Sequence, residues 1–314
     1  MPSQSGDDGA SLMDTYYIDG KFVSEHASFI SVKDIIVLRG FGVFDFLITY
    51  AKRPFHLEEH VERLEKSAQQ IGLQIGLTHE EICAIVRETV ARNPHHRESA
   101  IRILYSGGIS SDGLNPEGRG ILMVLVTQKP ESAPHLYTEG AKVITVDAAR
   151  FMPSAKSTCY LSAVLATQAA KRQGAVEALY VDRDCRILEG ATTNFFCFIG
   201  ERLITPCQDV LSGVTRSVIT ELARKLYEVE DRDVYLSEVG QMQEAFITAS
   251  NKEVMPVVRI DAQQIAKGCV GERVKNIMKA FRNYTDSFGQ GKARLRLPGS
   301  AVGAGHRKEM ANLP

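Results

Sequence analysis

The sequence has no excess of charge of either sign: 37 basic residues stand against 38 acidic ones over 314 positions, a formal net charge of −1. That removes any global field for nucleic acid or an anionic membrane and favours a small-molecule partner. There is no CxxC pair and no Cys/His spacing of the zinc type; Cys83, Cys159, Cys185, Cys197, Cys207 and Cys269 lie far apart. Reduced thiols in a cytoplasmic protein without a metal site are the simplest reading. No apolar run reaches the roughly 20 residues of a membrane helix. The first fifteen residues carry neither a basic start nor an apolar stretch, so neither a signal peptide nor an anchor is expected. Internal repeats are absent as well. What is present is 44% hydrophobic residues on a chain long enough for a large core and two domains.

Residues 1–15 are polar and rich in Gly and Ser, which predicts a disordered leader. Residues 16–129 read as an α+β domain. YYIDGKFV forms two strands about an Asp19-Gly20 turn, and GVFDFLITYAKRPF a second hairpin. Leu57, Val61, Leu64 and Ala68 mark one face of a helix over 56–73, closed by Gly72. Thr78 and Glu81 give a capping box to a helix over 78–93, and two further strands follow. Two prolines and few apolar residues make 130–140 a linker. Residues 141–287 then read as a second domain: a strand, a helix over 158–173 with Thr158 as cap, a run of strands, a helix over 215–229, two strands and a last helix. Residues 288–314, basic and Gly-rich, predict a disordered tail.

Within that frame, chemistry gathers in residues 150–196. Lys156 lies between FMPSA and STCYLSAVLA, two nearly uncharged flanks. Lysine is ordinarily exposed, but this setting lowers an amine's pKa, and a neutral amine is what imine formation with an aldehyde requires. Tyr160, four residues on, shares its face if the helix begins near Lys156; a core tyrosine is the alternative. Glu189 in ILEGATTNFF either caps a turn or holds a cofactor's pyridine nitrogen protonated, making the ring an electron sink. Two stretches suit an anion. LSGVTRSVI brings Gly213 and Thr215 to a helix start, and FITASNKEV places Thr248, Ala249 and Ser250 just after a strand.

The ordered set HVERL (60–64), SAKSTCYLSAVLA (154–166), LEGATTNFF (188–196), LITP (203–206), LSGVTR (211–216) and ITASNKEVMPV (247–257) resembles the class IV, fold type IV, pyridoxal-phosphate aminotransferases. These include branched-chain and D-amino-acid aminotransferases and aminodeoxychorismate lyase. The likeness spans about residues 16–285. It implies a two-domain α+β / α/β fold, pyridoxal 5′-phosphate as cofactor, an amino acid and a 2-oxo acid as substrates, and a homodimer. By the same resemblance Lys156 forms the imine with the cofactor and later moves the substrate proton. Arg63 clamps the phosphate, Tyr160 bonds the phenolic oxygen, Glu189 holds the ring nitrogen and Leu211 packs on the ring. Val214 and Thr215 give backbone and hydroxyl donors to the phosphate, and Ala249 and Ser250 form its second turn.

The substrate end departs from the family pattern. The arginine that D-amino-acid enzymes carry aligns with Gly107, and is missing. IRILYSGGISSDGLNP resembles the branched-chain enzymes, with Arg102 at their arginine, yet their tyrosines are replaced at Ala100 and Arg39. The expectation is that Arg39 and Arg102 together bind a substrate carboxylate while Phe44 lines the side-chain pocket; the alternative leaves both arginines in solvent. The leading function is transamination from a branched-chain L-amino acid, or next a D-amino acid, to a 2-oxo acid such as 2-oxoglutarate. Pyruvate elimination and a non-catalytic scaffold are the rivals.

Overall fold

The computed structural model describes residues 13–117 and 119–297. A first sheet contains β1 (Thr15–Ile18), β2 (Lys21–Ser24), β3 (Gly42–Tyr50), β4 (Arg53–Pro54), β5 (Ser99–Ser106) and β6 (Leu122–Gln128), in the order β2-β1-β6-β5-β3-β4. Its neighbouring strands all run antiparallel. Helix α1 (Ile35–Arg39) precedes β3, while α2 (Leu57–Gln70) and α3 (His79–Ala91) cover one face. Leu57, Val61, Leu64 and Ala68 of α2 are buried against Val43, Leu47, Ile101 and Ile103 of the sheet, as their spacing requires. At α3 the Thr78 hydroxyl accepts from the Glu81 N–H at 3.2 Å and Glu81 accepts from the Thr78 N–H at 2.7 Å, a cap that contributes about 1 kcal/mol.

After α4 (His135–Thr138) comes a mixed ten-stranded sheet. Its strands are β7 (Ala141–Asp147), β8 (Glu177–Val181), β9 (Arg186–Gly190), β10 (Asn194–Ile199), β11 (Arg202–Thr205), β12 (Glu228–Asp231), β13 (Val234–Tyr235), β14 (Met242–Ala249), β15 (Glu253–Ile260) and β16 (Gln263–Gln264). The order is β12-β11-β10-β14-β15-β7-β8-β9-β13, with β16 beside β15. Helices α5 (Leu161–Arg172), α6 (Val214–Ala223) and α7 (Glu272–Gly289) pack on it. The stacked rings of Phe196 and Phe246, 4.7 Å apart, lie under α6 and α7. Phe55, just after β4, inserts among Phe281, Tyr284 and Phe288 of α7 and so joins the two halves of the chain. Among the described residues no helix is long and apolar enough to cross a membrane.

Several expectations need correction. The expected leader is ordered from Met13 on, because Asp14 Oδ1 accepts from His95 and His96 and Thr15 pairs in β1; residues 1–12 lie outside the described residues. The 130–140 segment carries a helical turn whose Leu136 and Tyr137 pack on the second sheet. The 288–314 tail is ordered in its first part. Phe288 and Leu297 are buried, Arg294 pairs with Glu58 and Glu59, and the Leu295 N–H donates to Tyr284 Oη at 2.9 Å. Residues 298–314 lie outside the described residues.

The helix expected from Thr158 begins at Leu161, because Thr158 N–H and hydroxyl are spent on Gly40 and Gly42 carbonyls of the first sheet and its approach. The helix expected over 215–229 ends at Ala223, and Glu228–Asp231 instead pairs in parallel with β11. The short α1 gave no periodic signal in five residues.

Candidate active site

Between the two sheets opens a cleft of about 240 Å³. The first half of the chain lines it with Phe44, Phe46, Arg63 and Arg102, and the second with Lys156, Tyr160, Glu189, Leu211, Val214, Thr215, Ala249 and Ser250 among others. Lys156 lies on an extended segment bridged to β3 rather than on a helix: its carbonyl accepts from the Phe44 N–H at 2.9 Å, and its N–H donates to Ser67 Oγ at 3.1 Å. Both backbone polar groups are held, so the side chain enters the cleft from a fixed base, with Nζ 4.8 Å from the Phe44 ring centroid.

Four charged groups surround that amine. Burial, then the Arg63 and Arg150 guanidinium groups, push Lys156 down to about 7, outweighing Asp45 and Glu189, which act the other way. Asp45, fully buried, accepts from Arg63 Nε at 2.9 Å and Nη2 at 2.8 Å, and pairs with His60 Nδ1 at 2.6 Å. Burial alone would raise the Asp45 carboxyl; Arg63 and His60 reverse it and hold it well below the ordinary range. Arg63 therefore has one edge locked on Asp45, and its remaining Nη1 donates to the Ser212 carbonyl at 3.1 Å, at the entry to α6.

Glu189 has the opposite balance. Burial raises its pKa, against the pull of Arg150 and the Leu211 N–H. Its Oε1 accepts from Arg150 Nη1 at 3.1 Å, and its Oε2 accepts from Leu211 N–H at 3.0 Å and, at 3.4 Å, from Asn194 Nδ2. Tyr160 stands edge-on to Phe44 with centroids 5.1 Å apart, and burial raises its hydroxyl's pKa.

The opposite end suits an anion. Helix α6 starts at Gly213 with no side-chain cap, leaving its first N–H groups open to the cleft. Gly213 is required there, since a Cβ would stand 2.0 Å from Asn194 Oδ1. The hydroxyls of Thr193, Thr215 and Thr248, all on residues lining the cleft, are buried with no hydrogen-bond partner. Buried polar groups are seldom left unpaired. Three unsatisfied donors beside an uncapped helix start and an arginine fit a phosphate, and an amine near neutrality with a carboxylate beyond it fits the aldehyde and ring nitrogen of pyridoxal phosphate.

With this geometry in view, known proteins give a consistent answer. The family model for class IV amino-transferases matches residues 42–260. The chain belongs to the class IV aminotransferases. Among relatives of this aminotransferase, a putative branched-chain-amino-acid aminotransferase of Methanocaldococcus jannaschii is 34% identical over 87% of this chain and 97% of its own. A D-alanine aminotransferase of Staphylococcus haemolyticus is 28% identical over 88% and 99%. Of the solved structures, the T.th. branched-chain amino acid aminotransferase with pyridoxamine 5′-phosphate superposes with a TM-score of 0.82 at 28% identity, covering 90% of this chain and 95% of that one. The branched-chain enzyme of Escherichia coli gives 0.83 at 25%, over 92% and 98%. The class IV aminotransferase described here is thus a pyridoxal-phosphate enzyme of fold type IV.

The cleft gathers every residue the sequence singled out except Arg39. Arg102 lines it, but Arg39, exposed at the end of α1, lines an adjoining apolar cavity of about 640 Å³ that shares Arg150, Tyr160 and Ala191 with the cleft, and donates Nη1 to the Leu38 carbonyl. The two arginines do not line one cavity within a chain: Arg39 stands at the end of α1, which Gly40 closes at φ 64°, whereas Arg102 stands on β5 in the cleft. Thr248 and Ala249, expected just after the strand, are its last two residues; Ser250 Oγ donates to the Phe46 carbonyl at 3.0 Å, so the unspent hydroxyl of this stretch is on Thr248. Sequence reasoning passed over Asp45, Arg150 and Asn194. Asp45 left one signal, a lone charge inside the apolar strand GVFDFLITY.

Proposed function

We propose that this aminotransferase takes the amino group from branched-chain L-amino acids in preference, and from D-amino acids next, and passes it to a 2-oxo acid such as 2-oxoglutarate. The observation that carries this reading is the composition of the cleft beyond Lys156. Phe44, Phe46 and Tyr160 offer an apolar wall to an aliphatic side chain, and the exposed Arg102, 5.6 Å from the Phe46 centroid, offers a fork to a carboxylate. The 34% identity to a relative named for branched-chain amino acids supports it.

When bound, pyridoxal phosphate supplies the electron sink that lets a substrate α-proton leave. Lys156, lowered to about 7 and so partly neutral near that pH, would hold the cofactor through its amine and would carry the substrate α-proton on Nζ. Glu189, with Oε1 fixed by Arg150 and Oε2 by Asn194 and the Leu211 N–H, would hold the proton of the ring nitrogen. Tyr160 would donate to the phenolic oxygen, and Leu211 would pack on the ring. Arg63, the N–H groups at Val214 and Thr215, the Thr215 hydroxyl and the backbone at Ala249 and Ser250 would hold the phosphate.

Residues 16–129 and 141–287 act as two domains on either side of the cofactor. Two copies associate as a homodimer in the cytoplasm, through an apolar surface described below. A donor panel of L-Leu, L-Ile, L-Val, D-Ala and D-Glu against 2-oxoglutarate and pyruvate tests the reading. Fastest transfer from the L-branched donors, lost in Arg102→Ala through kcat/KM, supports it. A preference for D-Ala or D-Glu overturns it.

A further inference from the structure

Behind the cleft wall lies a second charged group that the reaction does not use. Glu177, at the start of β8, is fully buried. A carboxylate removed from water is costly unless its oxygens are all engaged. Here Oε1 accepts from the Ala178 N–H at 3.1 Å, and Oε2 accepts from Lys252 Nζ at 2.8 Å and from the Thr192 hydroxyl. Lys252 Nζ also donates to Thr192 Oγ1 at 3.0 Å, closing a triangle of carboxylate, ammonium and hydroxyl. The hydroxyl gives its proton to Glu177 and receives one from Lys252, so each member fixes the other two.

The triangle joins two turns that are far apart in sequence. Thr192 belongs to the turn between β9 and β10, and Lys252 to the turn between β14 and β15. Both turns line the cleft, the first through Thr192 and Thr193, the second through Ser250 and Asn251, just after Thr248 and Ala249 at the end of β14. The partnerless hydroxyls stand beside the two turns: Thr193 lies in the first, and Thr248 at the end of β14 that leads into the second. The first turn has little slack: a Cβ on Gly190 would stand 2.0 Å from Thr193 Oγ1 and 3.0 Å from Glu177 Cγ.

We infer that Lys252, Glu177 and Thr192 form a clamp that holds these two turns at the spacing their hydroxyls need to bind an anion, and that Lys252 is a positioning residue for the cofactor. The inference rests on the aminotransferase reading above, since it takes the cofactor's phosphate as the anion. Lys252 donates to Thr192, not to the ligand, so its effect passes through the turn.

The test uses the full-length apoprotein. Dissociation constants for pyridoxal phosphate and, in parallel, inorganic phosphate are measured for wild type, Lys252→Met, Thr192→Val, Thr192→Ser and the double variant Glu177→Gln/Lys252→Met, each with its Tm. Expected are about tenfold weaker binding of both ligands in Lys252→Met and Thr192→Val, and near wild-type binding in Thr192→Ser, which keeps the hydroxyl. The double variant removes the unpaired buried charge; its Tm should recover toward wild type while its ligand affinity stays low. Wild-type affinity in Lys252→Met or Thr192→Val overturns the clamp, and so does recovery of affinity together with Tm in the double variant. If the wild type binds phosphate but gives no visible absorbance band with pyridoxal phosphate, the aminotransferase reading fails, while the phosphate constants still decide the clamp.

Discussion

Lys156 shows how one residue's setting decides its chemistry. Burial and two guanidinium groups bring its amine to about 7, so the neutral form is available where an exposed lysine would be fully charged. The consequence has a definite sign. Capture of pyridoxal phosphate by the apoprotein should slow as pH falls below about 7, by about tenfold per unit once the amine is protonated. Stopped-flow absorbance across pH checks this; a rate flat down to pH 5 would contradict it. The same shift affects stability. Between about 7 and the ordinary lysine value of 10.5 the unfolded chain binds a proton that the folded chain does not, so the Lys156 contribution makes apoprotein stability rise with pH across that window. In Lys156→Met that part of the slope should vanish, with the largest gain over wild type below pH 7. At this scale the sequence was informative where a residue's neighbours in the chain are also its neighbours in space. The uncharged flanks of Lys156 announced its low pKa; Arg150 was not singled out, because its partner Glu189 is 39 positions away.

At the scale of elements, what decides the site is where hydrogen bonds are left open. Helix α6 begins without a side-chain cap, and the Thr215 hydroxyl at its start has no partner. Thr215→Val keeps the shape and removes the unsatisfied group. Its expected outcome separates two properties: apoprotein Tm unchanged or raised, and cofactor affinity lowered about tenfold. Parallel losses of Tm and affinity would mean the hydroxyl is structural. Element types and their apolar faces were legible from periodicity, as in α2, whose four marked residues are all buried. Boundaries failed where tertiary bonds competed. Thr158 reads as a helix cap, yet its hydroxyl and N–H pair with carbonyls of β3 and its approach, and as a result Lys156 sits on an extended bridge rather than a helix.

For the whole molecule, α5 presents the informative anomaly. It buries Ala163, Ala166 and Ala170 against the second sheet while Leu161 and Leu165 remain 69% and 56% exposed. The large side chains thus face away from the core. Phe151, 96% exposed, and the end of α1 line the same apolar cavity. An apolar surface of this kind on one chain favours association with another, and a second copy is the occupant proposed. Leu165→Asp should shift the protein from dimer to monomer in light scattering; a wild type already monomeric at micromolar concentration would refute the proposal. Arg39, set on this surface and not in the cleft, was misjudged because a single chain's sequence does not tell a pocket from a neighbouring face.

The central claim is that Lys156, between the two sheets, carries amino-group transfer. The two half-reactions test it in turn: purified enzyme loaded with pyridoxal phosphate is mixed with L-leucine and its visible absorbance followed, then 2-oxoglutarate is added. The band should disappear with the donor and return with the acceptor in wild type, and neither change should occur in Lys156→Ala. A Lys156→Ala protein that completes the cycle at the wild-type rate, or a wild-type band that no amino acid bleaches, would contradict it.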